Sequence, residues 1–405
     1  MVKVLMFGWE FPPFHTGGLG TACEGLTKCL SKNGVELIFV LPKKLDLNVD
    51  FLKVVYADDN IPIKKQYYFN SIIQGYTTHK SYENKYELEK EKDLIYASNL
   101  NEEVERYGLV AKRIAEEETF DIIHAHDWLT FKAGMMAKRV SGKKLVVHVH
   151  ATEFDRCGGQ GCNQHVYDIE KKGMQEADQI IAISDYTKKQ IVKHYGISPK
   201  KVIVIHNGTQ FEEFILNEVS NLKKSKKIVL SLGRITLQKG IDYLISAARI
   251  VLKYDRNVIF VIAGNGDMYE EIVRKVSDMG IADNFIFTGW VKDKNEIKKM
   301  YSMADLFIMP SVSEPFGLVP LEAQMCGTPS LISKQSGVAE IFSNCLKADF
   351  WDVNDMADKI VAVLKYNELH KTLNENGKEE VKKLTWDKPA VRCMDLYKKM
   401  MEEVN

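Results

Sequence analysis

The chain has no excess of either charge: 55 Lys and Arg balance 55 Asp and Glu over 405 residues. A surface without a basic bias lacks the electrostatic footprint of a protein that lives on phosphate backbones or anionic membranes, so nucleic acid is not an expected partner. Long apolar runs are missing too. Stretches such as Val258–Ala263 fall far short of the roughly 20 residues a bilayer span needs. Met1–Gly8 lacks the longer apolar region and cleavage site of a signal peptide. Both absences lead us to expect a cytoplasmic chain with no integral membrane segment. Cysteine is scarce and scattered, and an odd total of seven fits a reducing compartment better than a disulfide framework. The segment Cys157-Gly-Gly-Gln-Gly-Cys162 has no second Cys pair at metal spacing, so it reads as free thiols in a Gly-rich loop rather than a zinc site. Asp-x-Asp, the pair that would hold a divalent ion on a sugar-nucleotide diphosphate, does not occur.

What is present belongs to a globular protein: 45% hydrophobic residues and 27% charged residues of both signs. At about 100–200 residues per domain the length allows two or three domains. Val2–Gly8, Val35–Leu41, Phe120–His126, Leu145–His150, Gln179–Ser184 and Val202–His206 are near-continuously apolar, as strands of a parallel sheet covered on both faces must be. Amphipathic stretches such as Gly20–Asn33 and Glu102–Glu118 complete strand-helix units. A second series follows, with strands expected at Lys227–Gly233, Val258–Gly264, Phe285–Thr288, Asp305–Pro310 and Ser330–Ser333, and helices at Gly240–Tyr254 and Met268–Met279. Between the series, Phe211–Lys227 is poor in apolar residues and ends in Lys223-Lys224-Ser225-Lys226-Lys227, the best linker candidate. Asn60–Tyr96, rich in Tyr, Lys and Glu, reads as an excursion in the first domain. The expected fold is α/β, with two doubly wound parallel-sheet domains whose ligand lies where the carboxyl ends of the strands meet across a cleft.

The polar residues cluster where that fold puts ligands. The first strand runs into Gly8-Trp9-Glu10-Phe11-Pro12-Pro13-Phe14-His15-Thr16-Gly17-Gly18-Leu19-Gly20 and then a helix. Glycines between a strand end and a helix N-terminus let backbone N–H groups approach an anion. The spacing is not Gly-x-Gly-x-x-Gly and no Gly-Lys-Ser/Thr follows, so a ligand loop and a structural turn fit it equally. Gly264-Asn-Gly266 is a similar incomplete fingerprint, read as a turn. Arg234 and Lys239, in Gly233-Arg-Ile-Thr-Leu-Gln-Lys-Gly240, place a bidentate donor and a flexible ammonium after one strand, a set suited to a diphosphate or simply a solvated basic pair. Glu314 closes a loop after another strand, and Glu322 lies about one turn into the following helix, with the amides of Gly317 and Leu318 near its start. Two hydroxyl-accepting carboxylates beside amide donors describe a sugar and a phosphate held together; the alternative is two ordinary helix-end and surface glutamates. His124, His126, Asp127 and Trp128, with His148 and His150 one strand later, complete the set. Alternate residues share a strand face, so His126, Asp127 and Trp128 can meet a sugar at a strand end, while one histidine of the group reads as a satisfied core residue. No companion Cys or carboxylate stands at ligand spacing, and no metal is expected.

Glu314 and Glu322 with seven residues between, Gly233-Arg234 with Lys239-Gly240, and Gly17-Gly18-Leu19 together resemble the retaining GT-B glycosyltransferases of the glycogen synthase and family-4 type. The resemblance spans nearly the whole chain and takes in Ala177-Asp178 with Ser184, His206-Asn207-Gly208, and Ala304-Asp305 with Pro310-Ser311. His124-Ala-His126-Asp127-Trp128 and Thr16-Gly17-Gly18-Leu19-Gly20 look like the bacterial glycogen and starch synthase branch, although His15 stands where those synthases usually carry Lys. His148-Val-His150-Ala-Thr-Glu153-Phe-Asp-Arg156 looks instead like family-4 enzymes of archaea and bacteria.

The resemblance implies a GT-B fold, with a Rossmann-like acceptor-side domain over residues 1–210, joined by a C-terminal helix at 389–405, and a nucleotide-sugar domain over 211–388. It implies a hexosyltransferase that moves glucose from ADP- or UDP-glucose to a glucan or other glycosyl acceptor, glycogen synthase-like, with no cofactor. Another acceptor, or a sugar-nucleotide epimerase on the same architecture, is the alternative. Arg234 and Lys239 would stabilise the diphosphate, Glu322 would accept from the ribose, and Glu314 would sit by the donor sugar. The amides of Phe316, Gly317 and Leu318 would meet sugar hydroxyls or phosphate, and Gly17, Gly18 and Leu19 would close over the diphosphate. His150 would lie near the transferred sugar, Asp127 near the sugar or acceptor, and Trp290 and Val291 by the base.

Overall fold

The computed structural model describes residues 2–13, 18–43, 47, 49–57, 100–158, 161–210 and 225–402. The chain divides into two units. One comprises Met1–Glu153, Cys162–Gly208 and Trp386–Asn405, the other Phe154–Gly161 and Thr209–Thr385. The expected excursion at 60–96 and most of the expected linker, 211–224, lie outside the described residues.

The first unit is built on β1 (Lys3–Phe7), β2 (Glu36–Leu41), β3 (Lys53–Tyr56), β4 (Ile122–His126), β5 (Lys144–Val149), β6 (Gln179–Ala182) and β7 (Val202–Val204). They form one parallel sheet in the order β3-β2-β1-β4-β5-β6-β7. The second unit holds β8 (Lys227–Leu232), β9 (Val258–Ala263), β10 (Phe285–Gly289), β11 (Leu306–Met309), β12 (Ser330–Ser333) and β13 (Leu346–Ala348), again all parallel, in the order β10-β9-β8-β11-β12-β13. Each is a Rossmann-like sheet, as the apolar runs lead one to expect. Every residue of β4 and of β9 is buried; because successive side chains point to opposite faces, this requires cover on both sides. Helices supply it. The helix Ile241–Tyr254, for instance, buries Ile241, Leu244, Ile245, Ala248, Val251 and Leu252 at the three- and four-residue spacing of one face.

The two sheets share one consequence of their order. Strand order reverses between β1 and β4 and again between β8 and β11, and loops leaving neighbouring strands in opposite directions open a crevice at their carboxyl ends. The segments after β1, β4, β8 and β11 are those in which the sequence concentrates its polar residues.

The final helix, Asp387–Glu402, belongs to the first unit despite its place in the chain. Ala390, Cys393, Leu396, Tyr397 and Met400, with Trp386 before them, share a core with Val4, Met6, Leu26 and Leu30. Gly25, in the helix Gly18–Lys32, lies under the Trp386 indole so closely that any side chain there would overlap it. Among the described residues no helix is long and apolar enough to cross a membrane.

Candidate active site

In the second unit, β8 ends in Gly233, whose φ of 153° turns the chain out of the sheet. Gly264, after β9, sits so close to the Gly233 carbonyl that a Cβ would fall inside it. The pair of glycines thus lets two strand ends converge, and Arg234 follows directly. Its Nη2 donates to Gln238 Oε1 at 3.2 Å. Lys239 closes a single 3₁₀ turn, Leu237–Lys239, and its Nζ lies 2.5 Å from Glu314 Oε2. Ser311 Oγ donates to the same carboxylate oxygen at 3.1 Å. The Glu314 backbone is fixed from both sides, its N–H donating to Gln335 O at 3.0 Å and its carbonyl accepting from Gly337 N at 2.9 Å. This group of cation, carboxylate and hydroxyl therefore stands on a rigid loop at the β8/β11 switch point.

Glu322 lies elsewhere on that edge. It is in the helix Val319–Met325 and accepts from the Tyr301 hydroxyl at 2.9 Å. Burial pushes its carboxyl above the usual carboxylate range, with the Tyr301 bond and Lys294 opposing the shift. The two glutamates thus engage different partners. Gly317 has φ 97° and turns under Met309 and Glu314, Phe316 is buried, and Leu318 is the residue from which the helix starts. Trp290 and Val291 follow β10, at the sheet's edge; Trp290 is 47% exposed. Phe154–Gly161 also groups with this unit: Ser313 Oγ donates to the buried Asp155 carboxylate at 2.6 Å, one residue from Glu314.

In the first unit, Gly17 and His15 lie outside the described residues, while Gly18 and Leu19 begin the helix Gly18–Lys32. Buried Glu10 accepts from the Gly20 N–H at 3.0 Å, so a carboxylate already meets the positive end of this helix. Asp127 has φ 59°, unusual for a residue with a side chain. Its carboxylate accepts from the His150 N–H at 2.6 Å and the Ala151 N–H at 3.3 Å, which ties the loop after β5 to the end of β4.

The histidines form an array. His126 is in register with His148 on adjacent strands, and His124 and His150 lie two residues away on the same faces. His124 and His126 stack with ring centroids 4.4 Å apart, and His148 and His150 at 4.3 Å. His124 Nδ1 is 2.6 Å from the Tyr397 hydroxyl, His124 Nε2 is 3.2 Å from His148 Nδ1, and His126 Nδ1 is 2.9 Å from His150 Nε2. Burial holds all four rings neutral. His124 and His150 are carried down to about 3, and His126 and His148, crowded by the other rings as well, are held well below the usual range. Sequence reasoning missed Tyr301 and Tyr397, plain hydroxyl residues 21 and 273 positions from their partners along the chain; it gave Ser311, three residues before Glu314, no role of its own, and it missed Glu10 as a helix-end carboxylate.

The starch synthase catalytic domain family matches residues 3–208, and the glycosyl transferases group 1 family matches residues 213–380. An uncharacterized glycosyltransferase of Methanocaldococcus jannaschii is 31% identical over an alignment that covers 99% of each chain. Glycogen synthase of Mycobacterium tuberculosis is 24% identical, covering 85% of this chain and 80% of its own. Among solved structures, sucrose-phosphate synthase from Thermosynechococcus elongatus superposes with a TM-score of 0.75 at 20% identity over the whole of both chains. With its two Rossmann-like sheets and these full-length relatives, the chain belongs to the GT-B glycosyltransferases, its first half of the starch synthase catalytic type and its second half of group 1 type.

Proposed function

We propose that the protein is a retaining hexosyltransferase that moves glucose from a nucleoside diphosphate sugar to the growing end of an α-1,4-glucan. The observation that carries this reading is the cation and carboxylate group at the β8/β11 switch point, where Lys239 lies 2.5 Å from Glu314 beside Arg234. As the sugar–phosphate bond breaks, positive charge grows at the anomeric carbon and negative charge on the departing diphosphate. Fixed cations aimed at the second charge are worth on the order of 3 kcal/mol each when they act like oxyanion donors. Without donor, Glu314 serves as the counter-charge of Lys239. A bound diphosphate would compete for the ammonium and leave the Glu314 carboxylate to accept from a sugar hydroxyl.

Glu322, held by Tyr301, would accept from the ribose, with the Phe316, Gly317 and Leu318 amides on the donor and Trp290 and Val291 by the base. His150 would contact the transferred sugar. Asp127 would act on that sugar through His150, since its carboxylate is engaged by the His150 and Ala151 amides. Same-face attack, in which the leaving phosphate helps take the proton of the acceptor hydroxyl, needs no carboxylate nucleophile, and none is assigned. The starch synthase match to the first half and the glycogen synthase relative support the glucan acceptor. A second reading keeps this donor chemistry and changes the acceptor to a small molecule, glycolipid or other polysaccharide. Relatives whose names carry small-molecule acceptors support it, among them a D-inositol 3-phosphate glycosyltransferase, 28% identical over 70% of this chain.

The test is incubation with ADP-glucose and UDP-glucose separately, with and without maltooligosaccharides, and separation of the products by size. A ladder of lengthened oligomers is expected. Transfer confined to other acceptors selects the second reading, and turnover of the nucleotide sugar to an isomer with no acceptor present overturns both.

A further inference from the structure

Among the described residues, two buried histidine nitrogens of the first unit lack a partner. His126 Nε2 and His148 Nε2 are shielded from solvent without a hydrogen bond, on rings 0% and 2% exposed, a state that native interiors seldom leave unanswered. One ring nitrogen from each of His124, His126 and His148 lies within 4.8 Å of the other two. The remaining contacts are consistent with one protonation pattern. With each of these rings protonated at Nδ1, His124 donates to Tyr397 Oη, His148 to His124 Nε2 and His126 to His150 Nε2. The unpartnered Nε2 atoms of His126 and His148 are then bare lone pairs, while that of His124 is taken by His148. An imidazole whose far N–H is held by a neighbour while its other nitrogen stays bare is arranged as metal-bound histidines are. Negative charge is close by: the Asp127 carboxylate sits on the amide of His150, whose ring is bonded to His126.

We propose that His124, His126 and His148 bind a transition-metal cation of the zinc class. Imidazole donors suit zinc: His126 and His148 offer bare Nε2 atoms, His124 Nε2 would give up the hydrogen bond it accepts from His148 Nδ1 to become the third ligand, and three neutral ligands leave a fourth position open to water. This runs against the expectation of a metal-free chain, which rested on the lack of Cys or carboxylate at ligand spacing along the sequence. The site is separate from the donor chemistry, which stays with Arg234 and Lys239. A cation on His126 Nε2 would strengthen the Nδ1–H bond to His150 and so fix the orientation of that ring.

The full-length protein, without a polyhistidine tag, is stripped with a chelator, equilibrated with Zn²⁺ or Co²⁺ and desalted. One Zn²⁺ retained per chain is expected, together with the intense visible bands of four-coordinate Co²⁺. His126→Gln and His148→Gln should each abolish retention, while His165→Gln, at an exposed position, should not change it. Tyr397→Phe removes only the hydroxyl on His124 Nδ1 and should weaken binding roughly 10- to 100-fold. Should the glutamine variants fail to fold, the wild-type cobalt spectrum and Tyr397→Phe decide. No retained zinc, six-coordinate cobalt bands, or an affinity that Tyr397→Phe leaves unchanged overturns the proposal. No readout involves glycosyl transfer, so a negative result leaves that reading standing.

Discussion

The two sheets follow the same strand order, yet their switch points carry opposite chemistry. At β8 and β11 the chain places formal charges, Arg234, Lys239 and Glu314, on loops anchored by backbone hydrogen bonds. On β4, which flanks the first sheet's switch point, and on its neighbour β5 it buries four neutral imidazoles in two stacked pairs. The fold fixes where a ligand can meet the backbone and leaves open what it meets. On the proposed function, a diphosphate would find compensating charge in place before it departs, and an uncharged sugar would be served by neutral donors and acceptors. A carboxylate partner also spares a partly buried cation the larger cost of standing uncompensated.

The largest expected effect tests the charged side. Arg234→Ala and Lys239→Ala should each lower kcat by on the order of 100- to 1000-fold while donor KM changes far less; a loss confined to KM in steady-state assays would mean that these cations only bind. Next comes acid, which should act on the neutral side. His124 and His150 fall from 6.5 to about 3 on folding, so as pH drops below 6.5 the unfolded chain takes up protons that the folded chain refuses. Stability is then lost at up to about 1.4 kcal/mol per pH unit for each such ring, between pH 6.5 and about 3. The second unit's shifted carboxyls point both ways, Glu322 and Asp242 upward and Asp349 and Glu380 downward. Hydrogen exchange at pH 5 should therefore accelerate in β4 and β5 before β8 and β11. Equal acceleration in both sheets would remove the contrast.

A smaller effect is expected from Gly25→Ala. Ala gains about 1 kcal/mol of helix propensity, but overlap with Trp386 costs about 1–3 kcal/mol, so thermal melting should show a net loss; a gain would mean that the final helix yields easily. The smallest is Tyr301→Phe. Loss of one hydrogen bond to Glu322, worth about 1 kcal/mol, should raise donor KM several-fold for a ribose nucleotide and leave a 2′,3′-dideoxyribose analogue unaffected. A rise for both would detach Glu322 from the sugar of the nucleotide.

Most of this contrast was legible in the residues, because continuous apolar runs mark buried parallel strands and polar residues that interrupt strand ends mark switch points. β3 and β13 escaped notice: Lys53–Tyr56 and Leu346–Ala348 are short edge strands with mostly half-exposed side chains, and they carry neither an apolar run nor a clean alternation. The two His-x-His pairs were visible, but their union depends on β4 lying beside β5 in a register that sets His126 against His148. Likewise Lys239 and Glu314, 75 residues apart, each suggested a ligand, and only the fold makes them partners. Tyr397 gave no signal, since a tyrosine on a helix face 273 residues from His124 looks like any other core residue.

The return of the last helix to the first sheet sets an order on synthesis. Residues that seal the hydrophobic face of Gly18–Lys32 and supply the hydroxyl on His124 leave the ribosome only after the second unit. The second unit, continuous from Thr209 to Thr385 apart from one short loop, is fully translated while the first still lacks its cover. A nascent chain therefore carries an unfinished N-terminal core until the second unit has been made, and a stop codon directly after Thr385 would leave it unfinished for good.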